Sequence, residues 1–456
     1  MELQLVINSQ REFFQSNQTK DIQFRKNQLV KLKKTLKQNE DFLLQAIYKD
    51  FKKSEFEAYM TELAFTYHEI DLALKNISQW SSRKKVSSEF HSFPSRSYIQ
   101  PEPLGVALII GAWNYPYQLV LVPLISAIAA GNTCILKPSE LSSYSASALA
   151  KLINQNFDSS FLYVVCGGVE VSQELLSYEF DKIFFTGSTA VGKIVAMAAA
   201  KNLTPVTLEL GGKSPCIVCS DADLKVAAQR IVWGKYLNAG QTCIAPDYLL
   251  VEDSIYLNFL NELKKHIIKN IGENPMLSEN YTRIINLQHT QRLQKLIDPS
   301  KIYFGGQVIE SENYIEPTVL KDIVFSDDIM KEEIFGPLLP VIRFHRLDEA
   351  INEIKKRPRP LALYCFTGSQ AKQSKIMNEI SFGGGGVNEV IMHIANSKLP
   401  FGGVGASGMG SYHGEFGFKA FSHSKSLIIK PTWLEFSFRY RPYTQFKKFI
   451  LKLFLR

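Results

Sequence analysis

The chain reads as an α/β protein with two doubly wound parallel-sheet domains and a small β arm. Three observations predict this. Its 456 residues are too many for one hydrophobic core. From Gly105 to Leu210, apolar runs of strand length alternate with helical segments, the pattern of parallel strands buried on both faces. A second alternation opens at Ser214 and continues to about Ala395.

The first hundred residues read mostly as helices. Asp41–Asp50 has apolar residues at helical spacing, and another helix runs through Glu62–Trp80 until the polar stretch 81–85 ends it. Phe90–Pro103 is extended and punctuated by proline, as an edge strand or connecting arm would be. The first strand series is Gly105–Ile110, Thr133–Lys137, Phe161–Cys166, Asp181–Thr186 and Pro205–Leu210. Helices between them end near Ala130, or span about 142–156, 170–177 and 190–201, and Gly131 suits a helix C-terminus. The second series holds the helix Asp223–Leu237, the strand Tyr248–Glu252 and the helix Ile255–Ile271. A glycine-rich stretch, Phe401–Gly410, leads into a last arm. Units are expected at 1–82 with 104–210, at 211–395, at 83–103 with 396–430, and at 431–456.

Composition removes several function classes. Apolar residues at 45% and charged residues at 21% describe an ordinary soluble globular chain. The N-terminal segment lacks the basic and apolar regions of a secretory signal, and no apolar run reaches spanning length. Six scattered cysteines have no framework spacing, so a reduced, cytoplasmic protein is expected. Cys216 and Cys219 form one CxxC on a strand, where residues three apart face opposite ways, and no second pair completes a metal site. Most of the net charge of +8 sits in 430–456, with Lys430, Arg439, Arg441, Lys447, Lys448, Lys452 and Arg456 against Glu435 alone. The basic pI describes a tail and not a nucleic-acid-binding face.

Three residues carry candidate chemistry. Cys243 follows a helix that breaks at Asn238-Ala239-Gly240, and supplies a soft nucleophile. Glu209 ends an apolar strand, where desolvation raises a carboxyl pKa and makes a base for near-neutral pH. Asn114 lies just past the strand Gly105–Ile110, at the end of the sheet where ligands bind, and its side-chain N–H suits an oxyanion. Taken singly, each has a plain alternative: a buried loop cysteine, a strand-end carboxylate turned to solvent, and a turn asparagine before proline. There is no GxGxxG. Gly187 and Gly192 instead flank a strand-to-helix turn with Ser188 as N-cap, whose helix N-terminus suits a pyrophosphate. Lys137 and Glu140 add a cation and a carboxylate where a ribose would sit.

Six segments together resemble the aldehyde dehydrogenase superfamily over nearly the whole chain. They are Asn114–Pro116, Lys137–Glu140, Gly187–Gly192, Leu208–Lys213, Gly240–Cys243 and Glu332–Pro337. Asn114-Tyr115-Pro116, Pro400–Gly405 and Ser411–Gly414 look like its class 3 branch, which includes fatty-aldehyde and bacterial carotenoid-aldehyde enzymes. The resemblance implies a Rossmann-like cofactor domain, a catalytic domain, an oligomerisation arm and a homodimer. It implies NAD as cofactor, with NADP use left open. Cys243 would be the nucleophile, Glu209 the deacylating base, and Asn114 with the Cys243 backbone N–H the oxyanion donors. Lys137 and Glu140 would contact the adenosine ribose, and Gly187, Ser188 and Gly192 the pyrophosphate. Glu333 would hold the nicotinamide ribose, with Phe335, Leu210 and Gly211 beside the cofactor. Tyr115, Phe401 and His413 fall on the substrate side, and an apolar aldehyde suits them, with Phe65 and Trp233; a packed core would suit these aromatics as well. Glu389 departs from the branch's usual Asp. No metal is implied.

Two rival readings compete with this one. An acylating enzyme would pass the thioester to coenzyme A, but a hydrolytic base at Glu209 would waste the acyl group. A non-catalytic, membrane-peripheral dimer would rest on the tail alone. There Phe446, Phe449, Ile450, Leu453 and Phe454 fall at helical spacing among lysines, a basic amphipathic pattern suited to an anionic membrane surface. The same pattern suits a tail docked on its own protein or on a dimer partner.

Overall fold

The computed structural model describes residues 3–454. Met1-Glu2 of the N-terminal segment and Arg456 of the tail lie outside the described residues. Two mainly parallel sheets, as the alternation of apolar strands and helices predicts, are joined among the described residues by a three-stranded and a two-stranded antiparallel sheet.

The first sheet runs in the order Gly408–Met409, Val206–Leu210, Lys182–Gly187, Val106–Ile110, Thr133–Lys137, Leu162–Val164. All but the first of these are parallel. The chain builds outward from Val106–Ile110 in one direction and then crosses to its other side at Lys182–Gly187. Such a reversal opens a crevice at the carboxyl ends of the strands. The helix Gln118–Ala130 is buried all round, so its apolar run shows no amphipathic spacing, and Gly131 closes it in left-handed conformation at φ 100°.

The second sheet runs Ile302–Phe304, Thr318–Leu320, Leu338–Phe344, Tyr248–Glu252, Pro215–Val218, Ala362–Phe366, Gly384–Val387. Alternate residues along its strands enter two different cores, with Cys216 in one and Cys219 in the other. Both thiols are buried and free, as opposite-facing packing cysteines should be.

The third sheet joins Lys84–Val86, Arg96–Pro103 and Ser422–Ile429. Arg96–Pro103 is therefore its central strand and not an edge. The prolines are tolerated because Lys84–Val86 pairs only with Ser97–Ile99, leaving Pro101 and Pro103 bonded on one side alone. Two further differences follow from chain geometry. Gly408–Met409, from the segment read as arm, joins the first sheet beside Glu209. The helix ending at Trp80 begins at Glu55 and includes a π turn at Tyr59–Leu63.

Candidate active site

Glu209 lies between Thr186 on one strand and Gly408 on the other. Its side chain is turned inward, not to solvent: the residue is 3% exposed, and neither carboxylate oxygen has a hydrogen-bond partner among the described residues. Burial lifts this carboxyl well above the ordinary range.

Cys243 reaches the same crevice on a strained loop. The helix Leu224–Tyr236 ends, and Asn238 and Ala239 turn left-handed at φ 52° and 50°. Such conformations cost about 1–2 kcal/mol each for a residue with a Cβ, so side chains must hold them. Glu57 Oε1 accepts the Asn238 N–H at 2.7 Å. Asn238 Nδ2 donates to the Asn114 carbonyl at 2.8 Å and to the Gln241 carbonyl at 3.2 Å. Gln241 Nε2 donates to the Asn238 and Arg283 carbonyls at 3.0 and 3.1 Å. Asn114 Nδ2 donates to the Gln241 carbonyl at 3.1 Å, which brings the predicted oxyanion donor against the nucleophile loop. An amide carries two N–H donors, so one remains for a ligand oxygen.

Burial, then the charges of Glu333 and Glu209, push the Cys243 thiol well above its ordinary value. The amides of Cys243 and Ile244 oppose this from the backbone. The thiol therefore rests neutral, and attack requires a base.

Of the predicted cofactor residues, Lys137, Gly187, Ser188, Leu210 and Gly211 lie at or just past strand ends of the first sheet, and Glu333 and Phe335 come from the loop ahead of Leu338–Phe344. Lys137 is buried and its Nζ bonds Glu140 Oε2 at 2.6 Å. Burial raises the Glu140 carboxyl, but the Lys137 bond and charge outweigh it and leave it below the ordinary range. Ser188 Oγ accepts the Val191 N–H at 3.3 Å and so caps the helix Thr189–Ala200, whose first amides face the crevice from Gly187. Gly192 packs on the Leu210 side chain. Gly211 permits the close approach of Glu333: a Cβ there would lie 2.0 Å from Glu333 Oε2. Burial first, then Asp247, pushes the Glu333 carboxyl up to about 8, against the Gly212 amide and the charges of Lys213 and Lys235. Phe335 meets Trp113 edge-on at 5.3 Å. A cation, two carboxylates, a capped helix N-terminus and a glycine cradle fit a dinucleotide.

Sequence reasoning missed what holds Glu333. Lys213 Nζ bonds Asp247 Oδ2 at 2.5 Å and the carbonyls of Ile329 and Glu332 at 2.8 and 2.9 Å. Asp247 Oδ1 accepts the Ile334 N–H at 2.9 Å, and Arg292 donates to the Ile334 carbonyl at 2.7 Å. Lys213 falls inside the Leu208–Lys213 segment; nothing local marks Asp247 or Arg292.

The expected substrate-side residues are packed. The Tyr115 hydroxyl is 2.5 Å from Thr242 Oγ1, so it braces the residue before Cys243. Phe401, Tyr412 and His413 are buried and pack with the half-buried Phe65 and His393, with ring centroids 5.2 Å apart for Phe65–His413 and 5.4 Å for Phe401–His413. Phe65 and Trp233 are half-buried. The longer Glu389 reaches its own Val390 N–H at 2.9 Å and lies 3.7 Å from Arg230 Nε.

The raised Glu209 carboxyl has a stability consequence. A carboxyl whose folded pKa lies above its unfolded value costs stability as pH rises past the unfolded value. Glu209→Gln should therefore raise the thermal midpoint, with the gain growing from mildly acidic to alkaline pH. Equal midpoints for both proteins at pH 8 would contradict the burial argument.

A family model described as "Aldehyde dehydrogenase family" matches residues 1–427. The 4,4'-diaponeurosporen-aldehyde dehydrogenase of Staphylococcus aureus is 50% identical, covering 97% of each chain. Aldehyde dehydrogenase family 3 member A2 of Pongo abelii is 47% identical, covering 99% of this chain and 94% of its own. A solved structure described as the substrate-bound state of Staphylococcus aureus AldH superposes with a TM-score of 0.98 at 48% identity, covering 100% of both chains.

Proposed function

Because this chain belongs to the aldehyde dehydrogenase family, we propose that it oxidises apolar aldehydes to carboxylic acids, the substrates being medium- or long-chain aliphatic, aromatic or terpenoid. The convergence of Cys243, Glu209 and Asn114 carries this reading. The name of the staphylococcal relative, an aldehyde of the terpenoid class, supports the apolar choice.

Cys243 gives its thiol proton to a solvent water acting as base, and the thiolate attacks the aldehyde carbon. The new oxyanion takes N–H bonds from the Asn114 side chain and the Cys243 backbone, donors fixed before the reaction starts. A bound NAD or NADP would supply the acceptor for the hydride that leaves as the carbonyl re-forms. Lys137 and Glu140 would hold the adenosine ribose, the Ser188-capped helix the pyrophosphate, and Glu333 the nicotinamide ribose. Cys243 is left as a thioester. Glu209 then takes a proton from water, whose oxygen attacks the acyl carbon and releases the acid. A base at that position favours hydrolysis over transfer to coenzyme A.

NADH formation from hexanal, decanal and benzaldehyde tests the reading. Decanal should give the highest kcat/KM. An enzyme that reduces neither NAD nor NADP with any of the three would contradict it.

A homodimer is supported by two features. Val191, Ile194 and Met197 form an exposed apolar stripe on the helix Thr189–Ala200, and Ser422–Ile429 is an edge strand. Among the described residues no helix is long and apolar enough to cross a membrane. The helix Gln445–Phe454 exposes Phe446, Phe449 and Leu453 beside Lys448 and Lys452, which supports peripheral contact with an anionic membrane. Deleting 443–456 should weaken binding to phosphatidylserine vesicles and leave turnover of hexanal within about twofold. Unchanged vesicle binding would contradict the membrane contact.

A further inference from the structure

Behind the reacting groups lies a buried cluster of charges that the chemistry above does not use. Lys53 and Glu62 have no exposed surface. Lys53 Nζ stands 3.7 Å from Glu62 Oε1 and 4.3 Å over the Tyr115 ring, and makes no hydrogen bond among the described residues. Glu57 also acts on Lys53 by charge. A buried ion cluster is weak evidence for stability, because apolar side chains of the same volume pack at least as well. Its connections are more informative.

The π turn at Tyr59–Leu63 gathers the two carboxylates. In a regular α-helix, residues five apart point well away from each other. A turn with i to i+5 spacing brings them to one side, so Glu57 and Glu62 both address Lys53.

Each carboxylate then holds one of the two loops that meet at the site. Glu62 Oε2 accepts the N–H groups of Tyr117 and Gln118, both at 3.0 Å, just past the turn that carries Asn114. Glu57 Oε1 accepts the N–H of Asn238, the first left-handed residue before Cys243. Tyr115, beneath Lys53, closes the circuit through Thr242.

We propose that Lys53, Glu57 and Glu62 form a positioning unit that holds the Asn114 turn and the Cys243 loop in register, and so sets the two oxyanion donors at their working separation. The proposal rests on the assignment of those donors above. None of the three residues touches substrate. They act through Asn238, Tyr115 and the start of the helix Gln118–Ala130.

The test uses Glu57→Ala, which removes the acceptor for Asn238, and Glu57→Gln, which is isosteric and keeps one. Glu57→Ala should lower kcat about 10- to 100-fold with KM for aldehyde and NAD within about threefold, since small misplacements of reacting groups carry large rate costs. Glu57→Gln should recover kcat to within about threefold of the native enzyme. In an Asn114→Ala background the same Glu57→Ala change should cost less than about threefold, because one of the two donors whose register Glu57 keeps is already gone. An equal loss in both backgrounds overturns the proposal, as does a lowered thermal midpoint with unchanged kcat. Should Glu57→Ala not fold, Lys53→Met replaces it in the same two backgrounds, where a loss confined to the native background supports the proposal and an equal loss in both overturns it.

A second readout needs no aldehyde. Glu57→Ala should slow iodoacetamide labelling of Cys243 at pH 8 by about threefold or more, as the Cys243 and Ile244 amides move off the sulfur. Unchanged labelling overturns the proposal. A native enzyme inert towards aldehydes would instead contradict the assigned function, and the labelling comparison would still stand.

Discussion

Cys243→Ala should abolish aldehyde-dependent NADH formation, with kcat/KM falling at least about 10⁴-fold. The size follows from the role. Among the described residues no other thiol stands where Cys243 does: Cys134, Cys216, Cys219 and Cys365 are buried within strands or just beyond them, and Cys166 is exposed beyond the strand Leu162–Val164. Without the sulfur, the aldehyde carbon is never converted to a tetrahedral adduct from which hydride can leave. The substitution removes only a sulfur atom from a half-buried position, and the Asn238–Gln241 hydrogen bonds that shape the loop do not use it. The thermal midpoint should therefore stay close to the native value. Retention of more than about 1% of native kcat/KM would contradict the role of Cys243 as nucleophile.

Glu209→Gln separates the two halves of the reaction. Steady-state turnover should fall about 10²- to 10³-fold, the usual scale for loss of a positioned base. A rapid burst of NADH, close to one per subunit, should remain. Glu209 is buried without a partner, so its elevated pKa makes it an effective base only where a water can reach it. Gln keeps the shape of the side chain and accepts no proton, so the thioester forms and then waits. Because Glu209 must be ionised to act, native steady-state turnover should rise with pH from mildly acidic to alkaline conditions. The burst amplitude of Glu209→Gln should be nearly independent of pH. Loss of burst and steady state in parallel would place Glu209 in Cys243 deprotonation instead.

Much of the site was legible before the fold. A carboxylate at the end of Val206–Leu210 is conspicuous because its neighbours are apolar, and the structure buries it without a partner. Asn114 and Ser188 follow strands of the first sheet, and a parallel sheet gathers such residues at one edge whatever the connecting helices do. Less was legible where the cause was distant in sequence or too short to carry a pattern. Gly408–Met409 is two residues long, and its place beside Glu209 shows only in the pairing. Lys53, Glu57 and Glu62 look like ordinary solvated charges; the π turn and the packing of Lys53 over Tyr115 bring them together. Aromatic residues were ambiguous for the opposite reason. Tyr115, Phe401 and His413 suit a substrate pocket and a core equally, and their burial fits either.

The thioester route is tested most directly by the intact mass of Glu209→Gln after mixing with NAD and decanal. A covalent decanoyl group on Cys243 is expected, absent from the Cys243→Ala,Glu209→Gln double variant, with NADH released in equal amount. NADH release with no adduct on Cys243 would contradict the thioester route and with it the roles assigned to Cys243 and Glu209.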